Sequence, residues 1–168
     1  MTRSTSRATS RDVERRRDAQ SYWLIGNRLT ILANGQDTDG RYDLIEGRLP
    51  AGLQTTPHRH TRYAEQLYVV EGEITVWLEA ERHVLRPGES ITIPIGTVHV
   101  VGNSGDEPAR SLVIASPSGF ARLIEEAGTP ADGSAPPPPL PDDLEKFERA
   151  AAAAGDENLG QPGDLPAR

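Results

Sequence analysis

The chain has 168 residues, a formal net charge of -7 and a pI near 5.1. That length suits one domain, and the acidic balance argues against a nucleic-acid partner, which requires a basic face. Cysteine is absent, which excludes disulfides and a thiol nucleophile, and no apolar run approaches the roughly eighteen residues needed to span a membrane.

The opening MTRSTSRATSRDVERRRD sets six arginines against three acids, leaving the rest of the chain, from Ala19 onward, at net -10. It holds almost nothing to bury and reads as a disordered basic tail over 1–18. No apolar stretch of export-signal length follows it, since YWLIG is too short, and the protein reads as cytoplasmic.

From Tyr22 to Ser116 the sequence runs RLTILA, YDLIEGRL, QLYVV, EITVWLE, HVLR, ESITIPI, VHVVGN and RSLVIAS. Each run is bounded by Gly, Asn, Asp or Pro, and several alternate polar with apolar. Strands so spaced predict an all-β sandwich or barrel rather than βαβ units. SPSGFARLIEEAGTP then predicts a helix with a serine N-cap. Phe120, Leu123, Ile124 and Ala127 share its apolar face, and Gly128 ends it. DGSAPPPPLP predicts an extended linker. DDLEKFERAAAAAG predicts a second helix, with Asp142 as cap, Leu144 and Phe147 on one face, and Gly155 closing it. DENLGQPGDLPAR reads as a mobile tail. The domain layout expected is a barrel with its following helix over 19–128, then linker, short helix and tail over 129–168.

The chain has only four histidines, and two of them stand one residue apart. Residues i and i+2 of a strand share a face, so His58 and His60 project together. Facing a barrel interior they need partners, because burying an unpaired polar group costs several kcal/mol. A divalent metal ion satisfies imidazole nitrogens economically. Glu65, opening the next strand, returns a carboxylate to the same cavity, and GESITIPIGTVHVVGN supplies His99 as a fourth donor. His83, in ERHVLRPGE, reads as an ordinary surface residue.

These residues resemble the cupin superfamily. Gly52, His58, His60, Glu65 and Gly72 match its first motif, and Gly88, Pro94, Gly96, His99 and Asn103 its second, with fifteen residues between Gly72 and Gly88. The resemblance implies a small jelly-roll β-barrel holding one divalent transition metal (Mn, Fe, Co, Ni, Cu or Zn) on His58, His60, Glu65 and His99. Such an ion would keep a net charge of about +1 and suit an anionic oxygen such as an enolate or phenolate.

Beyond the motifs, Tyr22 to Gly128 is similar to the bacterial single-domain cupins grouped with quercetin 2,3-dioxygenase. That likeness implies oxidative cleavage of a flavonol or similar aromatic enol with dioxygen, the 3-hydroxyl binding the metal as its anion and Glu65 acting as catalytic base. Candidate substrate walls are Tyr22, Trp23, Phe120 and Leu123, with Trp77 beside them, and the helix carrying Phe120 is a candidate lid. Two other readings stay open: a cupin isomerase, cyclase or decarboxylase that consumes no dioxygen, and a non-catalytic small-molecule binder. A homodimer is expected, because barrel edges invite pairing.

Overall fold

A computed structural model describes residues 19–133, 144–161 and 163–166 of the chain. The expected basic tail over 1–18, the proline-rich stretch, the Asp142 cap and the side chain of Leu144 lie outside the described residues. The strands are β1 (Ser21–Leu24), β2 (Asn27–Ala33), β3 (Asp43–Leu49), β4 (His58–His60), β5 (Ala64–Glu71), β6 (Ile74–Leu78), β7 (Glu81–Leu85), β8 (Ser90–Ile93), β9 (His99–Gly102), β10 (Ala109–Ser116), β11 (Thr129–Pro130) and β12 (Asp156–Asn158). The helices are α1 (Phe120–Ala127) and α2 (Leu144–Ala154). Every apolar run predicted as a strand is one; β1, β11 and β12 come in addition.

All pairings are antiparallel and build two sheets, ordered β11-β1-β2-β3-β10-β5-β8 and β12-β4-β9-β6-β7. Alternation decides which residues face inward. On β3 these are Asp43, Ile45, Gly47 and Leu49, and on β10 Ala109, Ser111, Val113 and Ala115. Ile31, Ile45, Val69, Ile74 and Val76 meet in the core between the sheets, each 1% exposed or less. The predicted all-β jelly roll is therefore the fold. Its two sheets keep separate edges, so side-chain packing rather than a continuous ring of backbone hydrogen bonds closes the barrel.

Two motif residues shape the frame that carries the histidines. Gly72 turns β5 into β6 at φ +74°, and a Cβ there would lie 2.8 Å from the Ala109 Cα, so both conformation and space require glycine. Asn103 is buried; its Nδ2 donates to the Leu49 and Glu107 carbonyls at 3.0 and 2.8 Å, and its Oδ1 accepts from Gly105 N–H at 2.9 Å. These bonds tie the segment after β9 to the end of β3.

Two expectations change. The N-cap of α1 is Gly119, not a serine, and no side chain of its own segment caps it. The cap comes from β3: Asp43 Oδ2 accepts from Gly119 N–H at 2.7 Å and Ala121 N–H at 3.0 Å, satisfying donors that a helix start leaves free. Gly128 ends the helix as predicted, its N–H donating to Ile124 O at 2.8 Å. The stretch DEN, expected in a tail, is instead β12, paired with β4 in the register Asp156↔His60, Glu157↔Arg59 and Asn158↔His58. These residues are poor strand formers alone; the free edge of β4 supplies the backbone partners that intrinsic preference does not. Helix α2 packs Phe147, Ala150 and Ala151 against Leu123 of α1, so the C-terminal arm rests on the barrel mouth.

Candidate metal centre

The site straddles both sheets. His58 and His60 lie on β4, and His99 on β9 is the cross-strand partner of His58, which sets those two rings directly opposite. Glu65, at the start of β5, comes from the facing sheet. The ring centroids of His58 and His99 are 4.1 Å apart, and one ring nitrogen from each of the three histidines lies within 4.8 Å of the others.

Hydrogen bonding at the outer nitrogens fixes which atoms face inward. His58 Nδ1 is 2.8 Å from the Thr56 carbonyl, and His99 Nδ1 is 3.0 Å from the Thr97 carbonyl. A carbonyl only accepts, so both Nδ1 atoms carry hydrogen, and when neutral these rings aim Nε2 lone pairs into the cluster. His60 Nδ1 donates to Asp156 Oδ1 at 2.9 Å, while its Nε2 stands 3.0 Å from Glu65 Oε2. That oxygen is also 3.7 Å from His99 Nε2, too far for a hydrogen bond. His99 Nε2 is buried without a hydrogen-bond partner among the described residues.

Such a cluster needs positive charge at its centre. Burial foremost, with His99 and His60 nearby, lowers the His58 pKa to about 3. For His60, burial acts downward too, but the bonds to Asp156 and Glu65 outweigh it and raise the pKa to about 9. Burial would raise Glu65, yet His60 and the neighbouring His99 hold its carboxyl well below the usual range. A proton on His60 Nε2 thus sits where a divalent cation would. The inward lone pairs, the unpartnered His99 Nε2 and an ionised carboxylate are the donor set such an ion takes, and each Nδ1–H is anchored as metal-binding histidines require. The residues fit a metal.

A cavity of about 140 Å³ adjoins the cluster. His58, His60, Glu65 and Asp156 line one part, and Leu29, Leu49, Leu67, Ile74 and Val113 make most of the rest apolar. Phe120 and Leu123 are among the lining residues. Tyr22 and Trp23 are not; their neighbours Leu24 and Ile25 are. Tyr22 packs half-buried against the core with its hydroxyl donating to Gln20 Oε1 at 2.7 Å, and Tyr22 and Trp23 pair with β11. Trp77 is also absent from the lining. It follows Ile74 and Val76 on β6 but points to the opposite face, with the Arg82 guanidinium 5.9 Å above its ring. His83 is partly exposed, 3.6 Å from Glu81, and away from the cluster.

Residues missed in the sequence belong to the C-terminal arm. Asp156, with Glu157, Asn158, Phe147 and Ala151, lines the cavity. Asp156 also accepts the Tyr63 hydroxyl at 2.9 Å, and Tyr63 is stacked on His60. The one signal was an acidic residue directly after a helix-ending glycine, which no local pattern distinguishes from a tail.

A two-sheet jelly roll with three histidines and a glutamate at one mouth defines a class of protein, and comparison with known proteins gives its family. The family model for the Cupin domain matches residues 46–115. The chain is 32% identical over 77 residues to the quercetin 2,3-dioxygenase of Bacillus subtilis, across 45% of this chain and 23% of that protein. It is 31% identical over 104 residues to the polyketide synthase CurC of Streptomyces cyaneus, across 62% of this chain and 64% of that one. The solved polyketide cyclase RemF of Streptomyces resistomycificus superposes with a TM-score of 0.55 at 25% identity, covering 63% of this chain and 79% of RemF. The chain therefore spans under two thirds of the length of these two curated relatives. Residues 46–115 therefore match a cupin domain, and the fold is the cupin jelly roll.

Proposed function

We propose that the protein is a divalent-metal-dependent cupin enzyme that binds an aromatic enol or phenol through its anionic oxygen and cleaves it with dioxygen. The observation carrying this reading is the convergence of His58, His60 and His99 nitrogens with Glu65 beside an apolar cavity. An ion held by these four donors would lower the pKa of a hydroxyl brought beside it and favour its anion. Glu65 is the base of this reading: it is ionised, lines the cavity, and has His60 Nε2 3.0 Å from its Oε2. Apolar walls exclude water and hold a flat ring by contact, Phe120 and Leu123 forming the α1 side.

Cavity size narrows the substrate. A cavity of about 150 Å³ lined by apolar side chains holds one benzene. The 140 Å³ here fits about one ring. A three-ring flavonol would place one ring inside and extend the others past α2 and β12. The likeness to a quercetin 2,3-dioxygenase supports dioxygen chemistry, whereas the longer matches to CurC and RemF support a second reading, an oxygen-independent cyclisation on the same site.

One assay separates them. Metal-loaded protein is incubated with quercetin, and with smaller hydroxylated aromatics, while absorbance, oxygen uptake and carbon monoxide are followed. Oxygen-coupled loss of the aromatic supports the first reading, and turnover unchanged without oxygen supports the second. Glu65→Gln should keep part of its metal and lose turnover by about 10²- to 10⁴-fold, whereas full activity in that variant removes Glu65 as base. The reading includes a homodimer, which light scattering tests against the 18.2 kDa of one chain.

A further inference from the structure

The C-terminal arm touches the ligand cluster through one side chain. Gly155, at φ +88°, closes α2 and turns the chain onto β4, and Asp156 follows at once. Its carboxylate is fully used: Oδ1 accepts His60 Nδ1–H and Oδ2 accepts the Tyr63 hydroxyl, both at 2.9 Å. The Tyr63 ring stacks on His60 with centroids 4.4 Å apart. A carboxylate 96 residues away in sequence thus sets both the rotation of the His60 ring and the position of its neighbour.

The arm's other bonds close on the same loop. Thr61 N–H and its hydroxyl donate to the Gly155 carbonyl at 2.7 and 2.8 Å. Arg62 donates to the Ala153 carbonyl at 2.7 Å, and Leu159 N–H donates to Pro57 O at 2.8 Å. Arg59 pairs with Glu157 at 2.6 Å. These partners bracket His60 along the chain. Were the arm to lift away, His60 would lose its acceptor at Nδ1, its ring could turn Nε2 out of the cluster, and the cavity would lose the wall made by Phe147 and Ala151.

We propose that Asp156 is a positioning residue of the metal centre and that docking of the α2–β12 arm is linked to metal occupancy. The inference rests on the metal reading above. A docked arm holds His60 in the orientation that binds the ion. By reciprocity of linked equilibria, an ion fixing His60 strengthens docking by the same factor. The arm is also the wall a larger substrate must displace, so metal content and cavity access change together.

Cobalt(II) titrated calorimetrically into chelator-stripped full-length protein tests this, together with hydrogen exchange over residues 144–159 with and without cobalt. Asp156→Ala should weaken cobalt binding about 10- to 100-fold, the usual cost of losing the partner of a metal-binding histidine. Asp156→Asn, which still offers His60 an acceptor oxygen, should recover most of that. Cobalt should slow exchange in β12 of the wild-type chain but not of the alanine variant. Unchanged cobalt affinity in a folded Asp156→Ala chain, with only a lower melting temperature, would leave Asp156 a merely structural role and overturn the coupling. If that variant does not fold, Arg62→Ala, which loosens the arm without touching His60, should bind cobalt severalfold more weakly; wild-type affinity there overturns the proposal equally. A wild-type chain that takes up no cobalt ends the metal reading and the coupling with it, whereas equal binding by all variants ends the coupling alone.

Discussion

His60 is held from two sides by segments of very different character. On one side, β4, β5 and β9 bring His58, Glu65 and His99 to it from strands that all lie between residues 58 and 102, among glycines and a proline at fixed offsets. On the other side, β12 brings Asp156 from the far end of the chain in a sequence, DEN, with no strand preference of its own. The motif region places its donors by local turns and register. The arm places its carboxylate only because the β4 edge is open and the Leu123–Phe147 contact seats the helix before it. The candidate metal donors are thus written locally, and the group that aims one of them is written in tertiary structure.

The widest test of that contrast removes a donor. His99→Ala should drop metal from about one ion per chain to near zero by elemental analysis and take turnover to background. Because His99 lies wholly inside the barrel, its loss should leave exchange in α2 no slower than in the chelated wild type. Loosening the arm comes next. Leu123 is 3% exposed between α1 and α2, so Leu123→Ala should destabilise by about 2–5 kcal/mol, read as a lower urea midpoint. A loss confined to the arm would show early exchange in α2 with the strands still protected.

A metal bound as proposed would compete with the proton at His60, which gives a pH test of intermediate size. Its folded pKa of about 9 lies above the ordinary 6.5. A raised folded pKa contributes stability that is fully present below 6.5 and is lost as pH rises through 9. Melting temperature of the chelated protein should therefore fall over that window. Metal affinity should rise over the same window, because the ion displaces the proton. Two flat profiles would mean that no proton is held at the centre of the cluster. The smallest effect is at the rim: Arg59 and Glu157 are 41% and 46% exposed, so Arg59→Ala should cost about 0.5 kcal/mol or less in chemical denaturation.

Much of the molecule was legible in sequence because strand alternation and turn residues are local. Each predicted run became a strand, and the HxH pair, Glu65 and His99 converge as their spacing implied. Side-chain direction was legible only where the register was secure. Phe120 and Leu123 line the cavity, but Tyr22, Trp23 and Trp77 do not: Trp77 takes the opposite face of its strand from Ile74 and Val76, and Tyr22 packs on the core away from the cavity. The α1 cap was misread for a similar reason: serines flank the helix start, yet the buried Asp43 reaches it from β3. Asp156 and β12 were illegible altogether, since their stability comes from an edge that only the folded barrel offers.

The account stands most directly on metal content. Full-length protein, stripped by chelator and dialysed against each of manganese, iron(II), cobalt, nickel, copper and zinc, should bind one equivalent of at least one of these ions. His58→Ala should bind none. A wild-type chain that remains free of metal under every condition would contradict the account, whatever the fold.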